Sequence, residues 1–442
     1  MNNILENRNN IEVYGYTEDI KTWIAEWTFK NYKTDIYTHK IHKYPAMFIP
    51  QIARKLILTY SAKNDTVLDL FNGSGTTAVE CNLLNRKSFG IELNPLAILI
   101  SKVKTTPINY KVLISTLDLL ETSFFHHSTS FTIKTFKNIE YWYSNDIIIW
   151  LSKLVDLLNK LEDPHVSDFF KVCLSEILRE VSWCKHSGFK MHRDTKKMDK
   201  KLCIKSFFSK FKSISISNID AIKSYTDTGV LNQSTVFNHN STQILNDIPP
   251  CSVDLILTSP PYGDSQTTVA YGQYSRLSMQ WLNLNPIEGD IHNLDKSLLG
   301  GKPKKNTDFS EILNYSATLK NAFLFYSALA TSHSNHPKIK ARLDDVLTFY
   351  RDLYLALKNG CYYLKTGKYF ILVTGSRVVM DYKLHTDIII SEFAEHLQMT
   401  TQSIFYRKIE NKRIPHKVSA TNIAGEVSPT MTKESIIILR KH

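Results

Sequence analysis

The run Val67-Leu-Asp-Leu-Phe71 passes directly into Asn72-Gly73-Ser74-Gly75, and the stretch from Thr76 to Arg86 then places Ala78, Val79, Leu83 and Leu84 on one helical face. A short apolar run, a glycine turn and a helical period together read as buried strand, tight turn and helix. Ser88-Phe-Gly-Ile-Glu92 supplies a second strand, and Pro95 opens a second helix reaching about Lys104, with Asn94 as its cap. The alternation resumes near Ser234. Strands are expected at Thr235 to Phe237, Val253 to Thr258 and Tyr369 to Thr374, with helices at Leu343 to Leu357 and His385 to His396. Strands at Ser403 to Arg407 and Glu434 to Arg440 follow. This pattern commits the chain to an α/β fold whose mainly parallel sheet is covered on both faces.

Two stretches break the rhythm. Residues 105–232 carry helical patterns (Ile147 to Lys160, Val166 to Trp183) and then a lysine-rich tract, while 285–341 is polar and contains Gly300-Gly-Lys-Pro-Lys-Lys305. Connections this long are functional or disordered. A chain of 442 residues has room for roughly two or three domains. With 43% hydrophobic and 22% charged residues it is not a mostly disordered chain, and 15 Gly and 14 Pro exclude a collagen-like or linker-rich one. No apolar run approaches the ~18 residues of a membrane span. The start MNNILENRNN lacks a signal core, so the expected location is the cytoplasm. The six Cys contain no Cys-x-x-Cys pair, and Cys184, His186, His192 and Cys203 fit no common metal spacing, so no metal is expected.

The glycine turn is the first place where chemistry is expected. Gly73 and Gly75 let the backbone turn sharply and approach a ligand, and the helix behind them offers free N–H groups. Glu92 ends the next strand, where an acidic side chain can accept ribose hydroxyl hydrogen bonds. Such a turn can exist without a ligand; the acid at this distance favours a nucleoside cofactor. Position 78 is Ala and no Gly-x-Gly-x-x-Gly register exists, which argues against NAD.

The second place is Leu257-Thr-Ser-Pro-Pro-Tyr262, directly after an apolar strand. Two prolines remove two N–H donors and stiffen the chain. They leave the Pro260 carbonyl and the Ser259 hydroxyl as fixed acceptors beside the Tyr262 ring. An amino group on an aromatic base is a poor nucleophile, because its lone pair is delocalised into the ring. Two acceptors aimed at its protons would draw it towards a tetrahedral geometry, and an aromatic face would hold the base by stacking. A rigid strand-end turn is the bland alternative, but the carboxyl edge of such a sheet is where sites lie.

Together these motifs resemble the amino-group DNA methyltransferases that use S-adenosylmethionine. Leu257-Thr-Ser-Pro-Pro-Tyr262 is close to the signature of the cytosine-N4 branch, whereas the adenine-N6 branch more often has Asp or Asn where Ser259 stands. His42 to Pro50 (HKYPAMFIP) resembles the family's N-terminal cofactor motif. The resemblance covers about 40–110 and 234–442 and implies a Rossmann-like class I methyltransferase sheet, mainly parallel with an antiparallel strand near the C-terminus, carrying a helical inserted domain.

It divides the chain into an N-terminal segment (1–65), a catalytic domain (66–109, 233–284 and 342–442), an inserted helical basic domain (110–232) and a second insertion or loop (285–341). By the same resemblance Pro45, Phe48, Pro50, Asp69, Phe71, Gly73, Gly75, Thr76, Glu92, Asn94 and Asn240 would hold the cofactor. The family usually has Asp at the position of Asn240. Ser259, Pro260, Pro261 and Tyr262 would act on the target amine. The implied partners are double-stranded DNA and a cognate restriction endonuclease, in a prokaryotic cytoplasmic protein that is nucleoid-associated when it acts.

Net charge is +12, and it is uneven. Residues 185–212 hold ten Lys/Arg and two acids, two-thirds of the excess, with Phe189, Phe207, Phe208 and Phe211 interleaved. Basic side chains track phosphates, so Lys190, Arg193, Lys196, Lys197, Lys200 and Lys201 are candidate DNA contacts, joined by Arg276 and Arg413. A solvated helix face is the competing reading. The adenine-N6 reaction, and a nucleic-acid-binding module that kept the fold and lost catalysis, remain the alternative functions.

Overall fold

The computed structural model describes Trp27, Phe29 and residues 32–127, 130–185, 188–199, 201–264, 268–301, 307–332, 336–380, 382–409, 417–418, 428–429 and 433–442. Seven strands form one sheet: β1 (Thr66–Asp69), β2 (Lys87–Glu92), β3 (Ser234–Asn238), β4 (Val253–Thr258), β5 (Leu364–Thr374), β6 (Met399–Lys408) and β7 (Lys433–Lys441). Their spatial order is β3-β2-β1-β4-β5-β7-β6. All neighbours from β3 to β5 pair in parallel. β7 runs antiparallel to both β5 and β6. This is the Rossmann-like class I methyltransferase sheet, with the order reversing between β1 and β4 and an antiparallel strand slotted in near one edge. In open sheets of this kind ligands bind beyond the carboxyl ends of the strands where the order reverses.

The strand sequences explain the layering. All six residues of β4 are buried, as a central strand's must be. Ile436 and Ile438 face one side of the sheet with Val67, Leu255, Leu257, Ile371 and Val373, packed under helix α1 (Pro50–Tyr60). Ile437 and Leu439 face the other side with Leu68, Ile256, Phe370 and Leu372. Period-two alternation therefore feeds two separate cores. Helix α2 (Thr76–Leu83) follows β1, and α3 (Pro95–Thr105) follows β2, its Asn94 cap accepting from the Leu96 N–H.

Helices α4 (Tyr110–Phe125), α5 (Asn145–Asn159), α6 (Pro164–Val181) and α7 (Ile204–Thr226) fill the first long connection. Together with α3 and helix α8 (Tyr271–Leu282) they share one hydrophobic cluster, so this helical block is continuous with the layer on β2 and β3. The polar stretch before β5 also folds: α9 (Ala317–Ser332) and α10 (His336–Tyr363) cover the second face with α11 (Thr386–His396). Expected helix Leu343 to Leu357 is thus the middle of a longer one.

Candidate active site

Asp69, at the carboxyl end of β1, is buried and saturated. Its Oδ1 accepts from the Phe71 N–H (3.0 Å) and the Thr258 hydroxyl (2.7 Å), and its Oδ2 from the Thr77 hydroxyl (2.7 Å). Burial raises its pKa, and those three hydrogen bonds oppose the rise. One carboxylate therefore fastens the glycine turn, the first turn of α2 and the end of β4 to one another.

Gly73 has φ +50° and Gly75 φ +86°, conformations that cost a side-chain-bearing residue. A Cβ on Gly75 would also lie 2.3 Å from the Ser101 Oγ of α3, so that glycine permits close packing of two helices. A Cβ on Gly73 would meet nothing nearer than the Phe71 oxygen at 3.9 Å. The Gly73 N–H donates to Glu92 Oε2 (2.8 Å), while Glu92 Oε1 accepts from the Leu93 and Asn94 N–H groups (3.0 and 2.8 Å). Burial raises the Glu92 pKa against these three donors. The side chain is thereby fixed at the end of β2.

These groups open on a cavity of about 410 Å³, within the size range of small-molecule sites. Pro45, Phe48, Asp69, Phe71, Gly73, Thr76, Glu92 and Asn240 line it, as do Ser259 and Pro261. Gly75 stands behind the wall as just described, and Pro50 is the first residue of α1. Asn94 is buried and engaged elsewhere: its Nδ2 donates to the Tyr44 hydroxyl (2.9 Å) and to Ser275 Oγ (2.8 Å). Apolar faces at Phe48, Phe71 and Leu93, a fixed carboxylate at Glu92 and an open glycine backbone suit a nucleoside carrying a charged arm. The residues present fit S-adenosylmethionine. Among the described residues no group of three or more His, Cys, Asp or Glu gathers as for a metal ion.

Ser259 follows Thr258 at the end of β4, so the residue that ties down the glycine turn is next to one that faces the cavity. Its hydroxyl donates to the Val373 carbonyl of β5 (3.0 Å). With its proton engaged there, that oxygen presents lone pairs elsewhere. Pro260 is buried. The Tyr262 hydroxyl donates to Glu434 Oε1 on β7 (3.1 Å), and Glu434 in turn pairs with the buried Arg407. Burial, with the Glu434 charge beside it, raises the Tyr262 pKa. Tyr262 is thus anchored on the far side from the glycine turn. Asp264 is held by Arg342 and Arg377, both at 3.2 Å.

Several lining residues have no motif to announce them. Glu288, Lys296, Ser297, Leu298, Leu299 and Gly301 come from the polar stretch after α8, and Thr348, Arg351 and Asp352 from α10. Glu288 accepts from Asn240 Nδ2 (3.2 Å) and Gln243 Nε2 (3.3 Å), closing the cavity over the loop after β3. Asn240 Oδ1 itself accepts from the Thr242 N–H (3.0 Å). The only signal for Glu288 is that an acid, with Asp290 two residues on, sits in an unassigned connection.

The basic tract divides into kinds. Phe207, Phe208 and Phe211 are core residues of α7, not stacking platforms. Each buried Phe is worth ~1.5–3 kcal/mol, which turning it out to stack on a base would forfeit. Lys197 Nζ points inward and donates to the Cys184 carbonyl (2.7 Å) and, at 3.3–3.4 Å, to those of Arg179, Glu180 and Ser182. Lys210 and Lys212 pair with Glu180 and Glu121. Arg193 stacks on Tyr141 (4.3 Å) and Trp183 (5.0 Å). Arg276 donates to the His292 carbonyl (3.0 Å). Lys190, Lys196 and Lys201 are exposed. Lys200, Arg413 and the lysines at 302–305 lie outside the described residues.

The family model described as DNA methylase (N6_N4_Mtase) matches residues 5–103. The type II methyltransferase M.MvaI of Kocuria varians is 35% identical over 435 residues, covering 94% of this chain and 93% of that one. The type II methyltransferase M.MjaII of Methanocaldococcus jannaschii is 38% identical over 68 residues, 15% of this chain and 13% of that one. Among solved structures, the rRNA methyltransferase aviRa from Streptomyces viridochromogenes overlays with TM-score 0.33 at 7% identity, covering 90% of this chain and 88% of that one; nothing rests on that overlay.

Proposed function

The chain belongs to the N6/N4 family of S-adenosylmethionine-dependent type II DNA methyltransferases, and on that premise we propose that it methylates the exocyclic N4 amino group of cytosine within a specific DNA sequence. The observation that carries this reading is Ser259. Its proton is spent on the Val373 carbonyl, so it meets the substrate as a neutral acceptor. Paired with the Pro260 carbonyl, it would accept the two N–H groups of the target amine and stabilise the charge that develops on nitrogen. The cofactor supplies an activated methyl group; alignment of that methyl with the amine is what the fixed loop contributes. No carboxylate is needed at Ser259, because the proton can leave after transfer.

The target amine is hidden in the stack of a duplex, so the base is rotated out into the site. Glu92 would accept from the ribose hydroxyls, and the exposed part of 188–201 would hold phosphates. The setting that follows is modification in a restriction–modification system, with a cognate endonuclease reading the same site. Incubating DNA with the protein and S-adenosylmethionine, then digesting it to nucleosides, tests the reading. N4-methylcytosine is expected. N6-methyladenine would replace the base assignment while leaving the family intact.

A further inference from the structure

Lys104, in the last turn of α3, is fully buried. Its ammonium makes two long contacts, to the Ser74 hydroxyl oxygen at 3.4 Å and the Met47 sulfur at 4.0 Å. Both partners line the cavity and come from its two sides, Ser74 from the glycine turn and Met47 from the N-terminal segment. No acid pairs with Lys104 within salt-bridge distance among the described residues. Burial pushes its pKa down to about 7, against the charge of Glu176, which favours the charged form. A buried cation with so little compensation is costly unless something else completes its surroundings.

Ser74 supplies the direction. Its oxygen accepts from Lys104, so its own proton must go elsewhere. Among the described residues no protein atom takes that proton, and Ser74 borders the cavity. The basic side chains that line the cavity are already engaged: Arg351 with Asp352 (2.8 Å), Lys296 with Asn293 (2.6 Å) and His239 with the Gln243 carbonyl (3.3 Å). The remaining walls carry carboxylates at Asp69, Glu92, Glu288 and Asp352. Those suit hydroxyls and cationic groups. The Ser74 corner is the part of the wall suited to an anion.

We propose that Lys104, acting through the Ser74 hydroxyl, is a positioning residue for the α-carboxylate of the methyl donor's amino-acid arm. The inference rests on the cofactor assignment and adds to it the residue pair that fixes the far end of the ligand. Through Ser74 the charge reaches the carboxylate as a relay of two hydrogen bonds, and anchoring that end sets where the sulfonium methyl lies relative to Ser259.

Calorimetric titration of the full-length protein with two ligands tests it: S-adenosylhomocysteine and its decarboxylated form, which keeps the amine and lacks only the carboxylate. Lys104→Met should weaken S-adenosylhomocysteine by about tenfold or more and leave the decarboxylated ligand within about twofold. Ser74→Ala should shift the same ligand in the same direction. Lys104→Met replaces a buried charge with an apolar chain of similar length, so it should remain folded, and its thermal unfolding checks that. Equal losses for both ligands would mean a merely structural lysine and overturn the proposal, as would unchanged affinity for S-adenosylhomocysteine. If the unaltered protein bound neither ligand, the cofactor site itself would be misplaced, a different failure.

Discussion

The Ser259 hydroxyl donates across 3.0 Å to the carbonyl of Val373, from the end of β4 to the end of β5. This bond decides the chemical character of the residue. A serine free to rotate could donate or accept; with its proton engaged on Val373, this one is left to accept.

Ser259→Ala should therefore remove an acceptor without disturbing the glycine turn, which is held by its neighbour Thr258. Single-turnover methylation should fall on the order of 100-fold. Affinity for S-adenosylhomocysteine, read by calorimetry, should stay within about twofold. Turnover at the normal rate would remove Ser259 from the mechanism.

Glu92→Gln tests the other end of the cavity. A carboxylate there accepts from three backbone N–H groups, whereas the amide presents one N–H₂ to a donor it must face. Cofactor-analogue affinity should drop by about tenfold or more, and the unfolding midpoint should fall by several degrees. An unchanged binding isotherm would contradict the placement of the ribose at Glu92.

Lys104 also makes a prediction about stability and pH. Its pKa is lowered from 10.5 to about 7 on folding. Between those values the unfolded chain binds more protons than the folded one, so stability rises with pH across that window. The cost of burying the charge accumulates as pH falls from about 10.5 and is fully present below about 7. Lys104→Met should stabilise the protein near pH 6 by a few kcal/mol, and that gain should shrink as pH approaches 10. Denaturant melts at several pH values measure it. A difference independent of pH would refute the buried-charge account.

The basic tract offers a separation by role. Replacing Lys190, Lys196 and Lys201 with Gln should weaken DNA binding and lower its log–log salt slope by up to about 3, one unit per lost phosphate contact. Lys197→Gln should instead lower the unfolding midpoint, because Lys197 ties the last turn of α6 to the segment that follows it. If the triple variant binds DNA with an unchanged slope, the exposed lysines are a solvated face.

Much of the sheet could be read in advance, because each of its strands is a local pattern. The Val67 to Phe71 run, the Asn94 cap and the Pro95 start all act within a few residues of themselves. The Thr258-Ser259-Pro260 loop was legible for the same reason. What was not legible depends on long-range geometry. Nothing near Glu288 says that it reaches Asn240, and nothing near Lys104 says that its helix ends beneath Ser74. The phenylalanines at 207, 208 and 211 interleave with basic residues in the sequence, and only the packing of the helix shows that their rings turn inward. Asn94 was read correctly as a cap, yet its amide is committed to Tyr44 and Ser275 and away from the cavity.

The Asp69–Thr258 bond spans 189 residues of chain, and so sets an order of events in folding. The entropic cost of joining such distant positions grows only slowly with the length between them, but pairings of this separation form late, after local helices and neighbouring strands. Asp69 cannot have its full set of partners until β4 is inserted between β1 and β5. In a refolding experiment helical signal should return well before the ability to capture a cofactor analogue. The site would form only once β4 has taken its place in the sheet.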